Sequence, residues 1–421
     1  MFFKTTDRNY YAAIMRLLKW SVIIQVIQLA GTFLLTYYFK KEDFGALSFL
    51  ISISTIFEMA VGLQYNTAAI VNKERSNALS LMFASVVIAI AFSILLLTGI
   101  FLLYCFAPGV FHSLNRYGLI ATFPLILIAN FVFNNGMQLL KYSGKIKEIN
   151  FFRILYVVAM LAAKIFAALV FASVASLIYA HIFGILVPCL VFAFMFRHRI
   201  KKTYEQINFK DLMQLMRQNY RFPRYSIPSN IISAAATISF PILVTIFFGL
   251  HENGVYYLTT IFIFQPLLLI LQAVSDVFLQ KISVMFYENK QMLYDFIKSQ
   301  QKIIITFIIP YVLIAAICGE FLFDYLLPPQ WLEIGKFIKF IALYYIFTSI
   351  YTPFSIVADY MNKQRFLMVF NLSLFVFQFC ALYFLHNDFT FTFVILVISV
   401  ITAVHYGFIN FYMLRKLKFY T

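Results

Sequence analysis

Apolar stretches of about 20 residues follow one another along this chain, parted by short polar and basic segments. A helix of that length rises about 30 Å, the thickness of a bilayer's hydrocarbon core. The stretches lack a two-residue alternation, so they predict membrane-crossing helices rather than barrel strands. They fall at 17–39, 44–65, 79–106, 117–140, 151–172, 174–196, 225–248, 254–278, 303–326, 335–358, 366–385 and 390–414. An even number of crossings puts both termini on one side.

Composition agrees with this pattern. With 62% hydrophobic and 12% charged residues, the chain lacks the polar surface of a soluble protein of its size. The expected fold class is an all-α polytopic membrane protein. The net charge of +16 does not point to nucleic acid, because the positive residues lie between the apolar stretches. With the amino terminus cytoplasmic, 27 Lys and Arg fall inside and 5 outside, and Lys164 falls within a span. Shifting the frame by one helix destroys this asymmetry, so the positive-inside rule predicts both termini in the cytoplasm. The first apolar stretch is too long for a cleavable signal peptide and no small-residue cleavage site follows it.

Near the midpoint, residues 197–224 carry eight Lys and Arg, with six spans before and six after. The predicted division is a six-helix lobe at 1–196, a basic cytoplasmic connector at 197–224 and a second six-helix lobe at 225–421. Two faint echoes support a repeat. Asp43 and Gly45 between spans 1 and 2 align with Glu252 and Gly254 between spans 7 and 8, and residues 141–147 resemble 359–365. Two inner loops read as basic amphipathic surface helices, one through Phe209, Leu212, Met213, Met216 and Tyr220, the other through Phe286, Leu293, Phe296 and Ile297. A solvated linker explains each as well.

Polar residues at helical spacing inside spans should face protein or water rather than lipid. Such stripes include Gln25 and Gln28 in span 1, Glu58 in span 2, and Asn130, Asn134 and Gln138 in span 4. Asp276 and Asp359 lie near inner ends of spans 8 and 10. Span 3 has no stripe and is expected to face lipid. Any one stripe is explained by hydrogen bonds between packed helices, whereas stripes in corresponding spans of both halves favour a hydrated cavity. Lys164 is the most informative position. It sits about 20 Å from the cytoplasmic end of span 5, where a charge costs about 2.5–3.5 kcal/mol on insertion scales. Arg153, Tyr156, Val157, Met160 and Lys164 share one helical face, a cationic track leading inward from the cytoplasm. Arg224 stands at the mouth of the second half. The track suits a phosphate or carboxylate; the structural alternative is a buried Lys164–Glu58 pair that only orients helices. His181 and His405, within spans 6 and 12, are expected to bond neighbouring helices.

Signatures of catalysis are missing. No P-loop, GxSxG, HExxH or Cys/His cluster occurs, and Cys105, Cys189, Cys318 and Cys380 lie far apart. No cofactor or metal is expected. The short outer connections leave no room for a folded extracellular domain, so a transporter fits better than an enzyme.

Several runs then carry a resemblance: Glu42–Ser48 (EDFGALS), Leu63–Val71 (LQYNTAAIV), Phe222–Asn230 (FPRYSIPSN), Phe248–Gly249 with Asn253–Tyr256, Pro266–Gln280 with its Ser275–Leu279, and Pro329–Leu332 (PQWL). Together they resemble the Wzx-type O-antigen and polysaccharide flippases of the multidrug/oligosaccharidyl-lipid/polysaccharide exporter superfamily. The resemblance implies a MATE-like fold of about twelve transmembrane helices in two pseudo-repeated lobes. It implies alternating access in a bacterial cell (inner) membrane. The implied substrate is an oligosaccharide on undecaprenyl diphosphate, an O-antigen or capsule repeat unit bound for lipopolysaccharide or capsule, moved to the outer leaflet with its polyprenyl tail in lipid. Glycosyltransferases and a polysaccharide polymerase are the implied partners. Where the family commonly has an acidic residue after Tyr65, this chain has Asn66. An ion-coupled exporter of small molecules or drugs, with a related fold, is the alternative.

Overall fold

The computed structural model describes residues 22–72, 74–106, 120–271, 275, 290–352 and 364–420. Among them all regular elements are helical. In chain order they are α1 (Val22–Leu35), α2 (Lys41–Val61), α3 (Tyr65–Val71), α4 (Arg75–Phe106), α5 (Phe123–Tyr142), α6 (Ile146–Val170), α7 (Val174–Gln206) and α8 (Phe209–Gln218). There follow α9 (Ile227–Ile238), α10 (Phe240–Phe248), α11 (Leu250–Thr259), α12 (Lys290–Leu326), α13 (Glu333–Tyr351), α14 (Gln364–Leu385) and α15 (Phe391–Tyr420).

Ten helical segments of the described residues are long and apolar enough to cross a membrane. Each matches an expected span. The shorter α1 covers most of span 1. Span 7 is broken into α9 and α10 at Ser239. Pro241 explains the break, since it has no N–H to donate back along the helix. As expected for a lipid-facing span, α4 exposes apolar side chains such as Ile94, Leu95 and Phe101.

The chain packs as two compact units, Met1–Tyr37 with Leu243–Thr421, and Tyr38–Ile242. By packing, then, α1 counts with the second half of the chain and α9 with the first.

Within Tyr38–Ile242, α6 and α7 form an antiparallel hairpin across a three-residue link, Phe171–Ser173. Gly184 brings their backbones together: a Cβ there would lie 2.6 Å from the Cα of Met160. Phe133 of α5 stacks on Tyr156 of α6 at 4.8 Å, which fixes one face of the hairpin. The Lys40 N–H donates to Asp43 Oδ2 at 2.8 Å, closing the first turn of α2. At its other end, Leu63 and Gln64 take φ of 50° and 58°, a left-handed turn that separates α2 from α3. The Gln64 amide braces this turn by donating to Met59 O and accepting from Thr67 Oγ1.

The amphipathic helix expected in the connector exists as α8, but only part of its apolar stripe is free. Leu215 is buried against Tyr65, Ala68, Ala69 and Leu81, while Phe209, Met213 and Tyr220 are exposed. The second expected surface helix differs. Leu293 and Ile297 lie on the first turns of the continuous α12 and are buried within their own unit, because the helix runs straight into span 9. Phe286 is outside the described residues.

In the other unit, Pro329–Trp331 forms a single 3₁₀ turn between α12 and α13. Trp331 is fully buried, and its Nε1 donates to Thr36 O at 2.9 Å, where Gln330 Nε2 also donates. The carboxyl-terminal end of α1 is clamped by this turn. Gly335 packs α13 on α12, with room for no side chain beside Glu320 Cα. The π-helical segment Thr260–Phe264 continues α11, and Tyr311 OH donates to Ile263 O there at 3.1 Å. The Asp43/Glu252 echo falls on matching places, each acid in the first turn of its helix. The residues of the second echo, 359–363, lie outside the described residues.

Candidate functional site

Arg153, Tyr156, Met160 and Lys164 lie on α6 along one face, over about 16 Å of helix. Exposure falls along it: Arg153 is exposed, Tyr156 half-buried, Met160 buried and Lys164 only 9% exposed. The sequence-predicted cationic track therefore leads from solvent-accessible surface into the packed interior of the Tyr38–Ile242 unit.

At its inner end the alternative pairing with Glu58 does not form. No ion pair or hydrogen bond holds the Lys164 ammonium among the described residues. Glu58 instead accepts from Asn134 Nδ2 at 2.7 Å. It lies within electrostatic range of Tyr156, two helical turns from Lys164 along α6, or about 12 Å. The purely orienting Lys164–Glu58 pair is thereby corrected.

His181 corrects a second expectation. It is 5% exposed, and neither ring nitrogen has a partner. It lies on α7 within electrostatic range of Lys164, one turn beyond the Met160–Gly184 contact. The hairpin thus buries a primary ammonium and an imidazole together with no counter-ion among the described residues. A buried donor without a partner costs about 1–3 kcal/mol, more if charged. Two unsatisfied cationic or neutral donors in low-dielectric surroundings are suited to an anion. His405 behaves as expected, with Nε2 2.9 Å from Phe370 O and its ring stacked on Phe370.

The remaining candidates divide. Gln138 Oε1 accepts from Asn66 Nδ2 at 3.2 Å, joining α5 to α3. The position where an acid was expected therefore holds an amide used in helix packing. Asn134 is occupied by Glu58, and Asn130 is half-buried on the same helix. In the other unit, Gln28 Nε2 donates to Gln265 Oε1 at 2.9 Å, while the buried Gln25 leaves its Nε2 without a partner. Arg224 is exposed on the π-helical turn Phe222–Ser226, its guanidinium 5.7 Å from the Tyr225 ring centre. Asp276 and Asp359 lie outside the described residues. Among the described residues no group of three His, Cys, Asp or Glu is placed to hold a metal ion.

His181 is the residue that sequence pattern undervalued. Its only signal was an imidazole on an apolar span with no polar partner in reach of its own helix.

The helices and their order define a multi-pass, all-α membrane protein with the fold of the MATE transporters. The chain is similar to the inward-facing structure of a multidrug resistance MATE family transporter of the MOP superfamily, with 13% identity, a TM-score of 0.70 and 94% of each chain covered. It is also similar to a MATE protein in complex with MaL6, at 14% identity, TM-score 0.63 and 96% of each chain. A third likeness is to a MOP superfamily transporter from Pyrococcus furiosus Vc1, a protein described by the reverse polarity of its binding pocket. That match has 13% identity, a TM-score of 0.62, and covers 96% of this chain and 95% of the other. Among curated proteins none matches. Residues 34–336 match the family model described as polysaccharide biosynthesis protein, and the chain belongs to that family.

Proposed function

We propose that this protein moves a lipid-linked oligosaccharide, carried on a polyprenyl diphosphate, from the cytoplasmic to the outer leaflet of a bacterial inner membrane by alternating access. It acts as a flippase and not as an enzyme, with both termini cytoplasmic. The repeat halves 1–196 and 225–421, joined by 197–224, supply the two lobes, except that α1 packs with the second half and α9 with the first. Membership of a polysaccharide biosynthesis family and a transporter fold support the class. The observation that carries the substrate is Lys164, a buried cation that among the described residues has no counter-ion and lies near His181, whose ring nitrogens have no partner there either.

In this mechanism Arg153 and Arg224 capture the diphosphate, or acidic sugars, at the cytoplasmic entrance. Lys164 then holds the anion deeper, where weak screening strengthens the attraction. Amides such as Gln25, Asn130 and Asn134 meet sugar hydroxyls. The site offers donors and fixed charge, which suits binding and release rather than bond-making. Replacing Lys164 by Ala should abolish complementation of a flippase-null strain at normal membrane levels; full complementation would remove Lys164 from the site. Substrate-dependent efflux of a small cation or drug with no need for a polyprenyl carrier would favour the small-molecule exporter instead.

A further inference from the structure

A cavity of about 280 Å³ lies wholly within the Tyr38–Ile242 unit, between α4, α5 and α7. Both α4 and α7 pack on α5 and scarcely touch each other, so the space between them stays open. It runs from Ser143 and Lys145 at the cytoplasmic ends of these helices to Val86, Val132 and Cys189. Along α5 that is about 16 Å, so the cavity is a narrow channel parallel to the helices. Its walls are almost wholly hydrocarbon. Asn135 is the polar exception, and its Nδ2 is turned onto α4, donating to Met82 O at 3.1 Å and Ser85 Oγ at 2.9 Å.

The mouth has the opposite character. Lys145 lines it, its Nζ 4.8 Å above the Phe196 ring and 3.3 Å from Glu148 Oε1. Exposed Lys141 and Arg197 lie one turn away on α5 and α7. The arrangement is a cation at headgroup depth above one slim apolar channel. A phospholipid brings two chains per phosphate, whereas a polyprenyl phosphate brings one. From this match of shape and charge we infer that the channel seats the phosphate-proximal part of the polyprenyl chain, with Lys145 against its phosphate. The inference rests on the carrier named above, but it moves part of the tail out of bulk lipid and into the protein. Fixing the tail on the outside of one helical unit would hold the carrier at the entrance while its head group turns over.

The test uses purified full-length protein in zwitterionic nanodiscs and a sugar-free polyprenyl phosphate with a diazirine in its first isoprene unit. Photolabel should map to Leu79–Val86 and Phe192–Phe196. Filling the channel with Ala193→Trp should lower labelling about tenfold, and Lys145→Glu should lower it as well, with helicity and melting unchanged. If Ala193→Trp fails to fold, Lys145→Glu decides by itself. Phosphatidylglycerol at equal mole fraction should not displace the probe. Undiminished labelling in the folded variants, labelling elsewhere, or equal displacement by phosphatidylglycerol would overturn the assignment. The probe has no sugar and no transport is read, so loss of channel labelling with transport intact, or labelling intact with no transport, tells failure of this inference from failure of the flippase proposal.

Discussion

Lys164 and His181 lie within electrostatic range of each other on the α6–α7 hairpin, both more than nine-tenths buried, and among the described residues no ion pair holds Lys164 and no hydrogen bond holds either His181 ring nitrogen. One turn away, Gly184 meets Met160 closely enough that a Cβ would lie 2.6 Å from its Cα, so the two helices are in backbone contact beside them. A fold that keeps two such donors dry bears a cost it could shed by substituting Leu for either.

Stability and transport should therefore part at Lys164. Lys164→Met keeps the volume and removes the charge, relieving up to about 2.5–3.5 kcal/mol on insertion scales. Thermal melting in detergent should show equal or higher stability, while transport falls at least about tenfold. A destabilised variant would mean that an unseen partner neutralises the ammonium.

Glu58 should act independently of Lys164, because its carboxylate is engaged by Asn134. Glu58→Gln and Lys164→Ala should combine additively in stability, within about 0.5 kcal/mol. A larger coupling in the double-mutant cycle would restore the ion pair excluded above.

The hairpin should tolerate no side chain at Gly184. Even a methyl group would sit 2.6 Å from Met160 Cα, so Gly184→Ala should lower stability by about 1–3 kcal/mol and Gly184→Leu by more. Melting curves that match wild type for both would show that the helices are not in contact there.

On the other unit, Trp331→Phe removes the donor to Thr36 O and the five-membered part of a fully buried indole. The expected loss is about 1–3 kcal/mol from the lost bond and the space left behind, read as a lower melting temperature. Gln330→Ala should also lower it, and the two losses should combine non-additively, since both side chains donate to the same carbonyl.

The spans were legible because hydropathy alone demands them, and the order of helices follows from their short links. The Pro329–Leu332 motif was visible as a pattern, but its purpose was not, because Trp331 and Thr36 are far apart in sequence. The left-handed turn at Leu63–Gln64 was hidden, since neither residue favours positive φ and only the braces from Gln64 hold it. Lys164 stood out as an expensive charge. Its neighbour His181 did not, since an imidazole on an apolar helix usually finds a carbonyl, as His405 does. The apparent Lys164–Glu58 match failed for a simple reason: an amide on α5 reaches the carboxylate first.

The most direct measurement is turnover of a fluorescent, polyprenyl-diphosphate-linked oligosaccharide in proteoliposomes, followed by quenching from outside, for wild type, Lys164→Ala and Lys164→Arg. Wild type should expose the head group to the quencher with time, Lys164→Ala should not, and Lys164→Arg should retain part of the activity. Equal rates for wild type and Lys164→Ala would show that the buried cation does not handle the anionic head group.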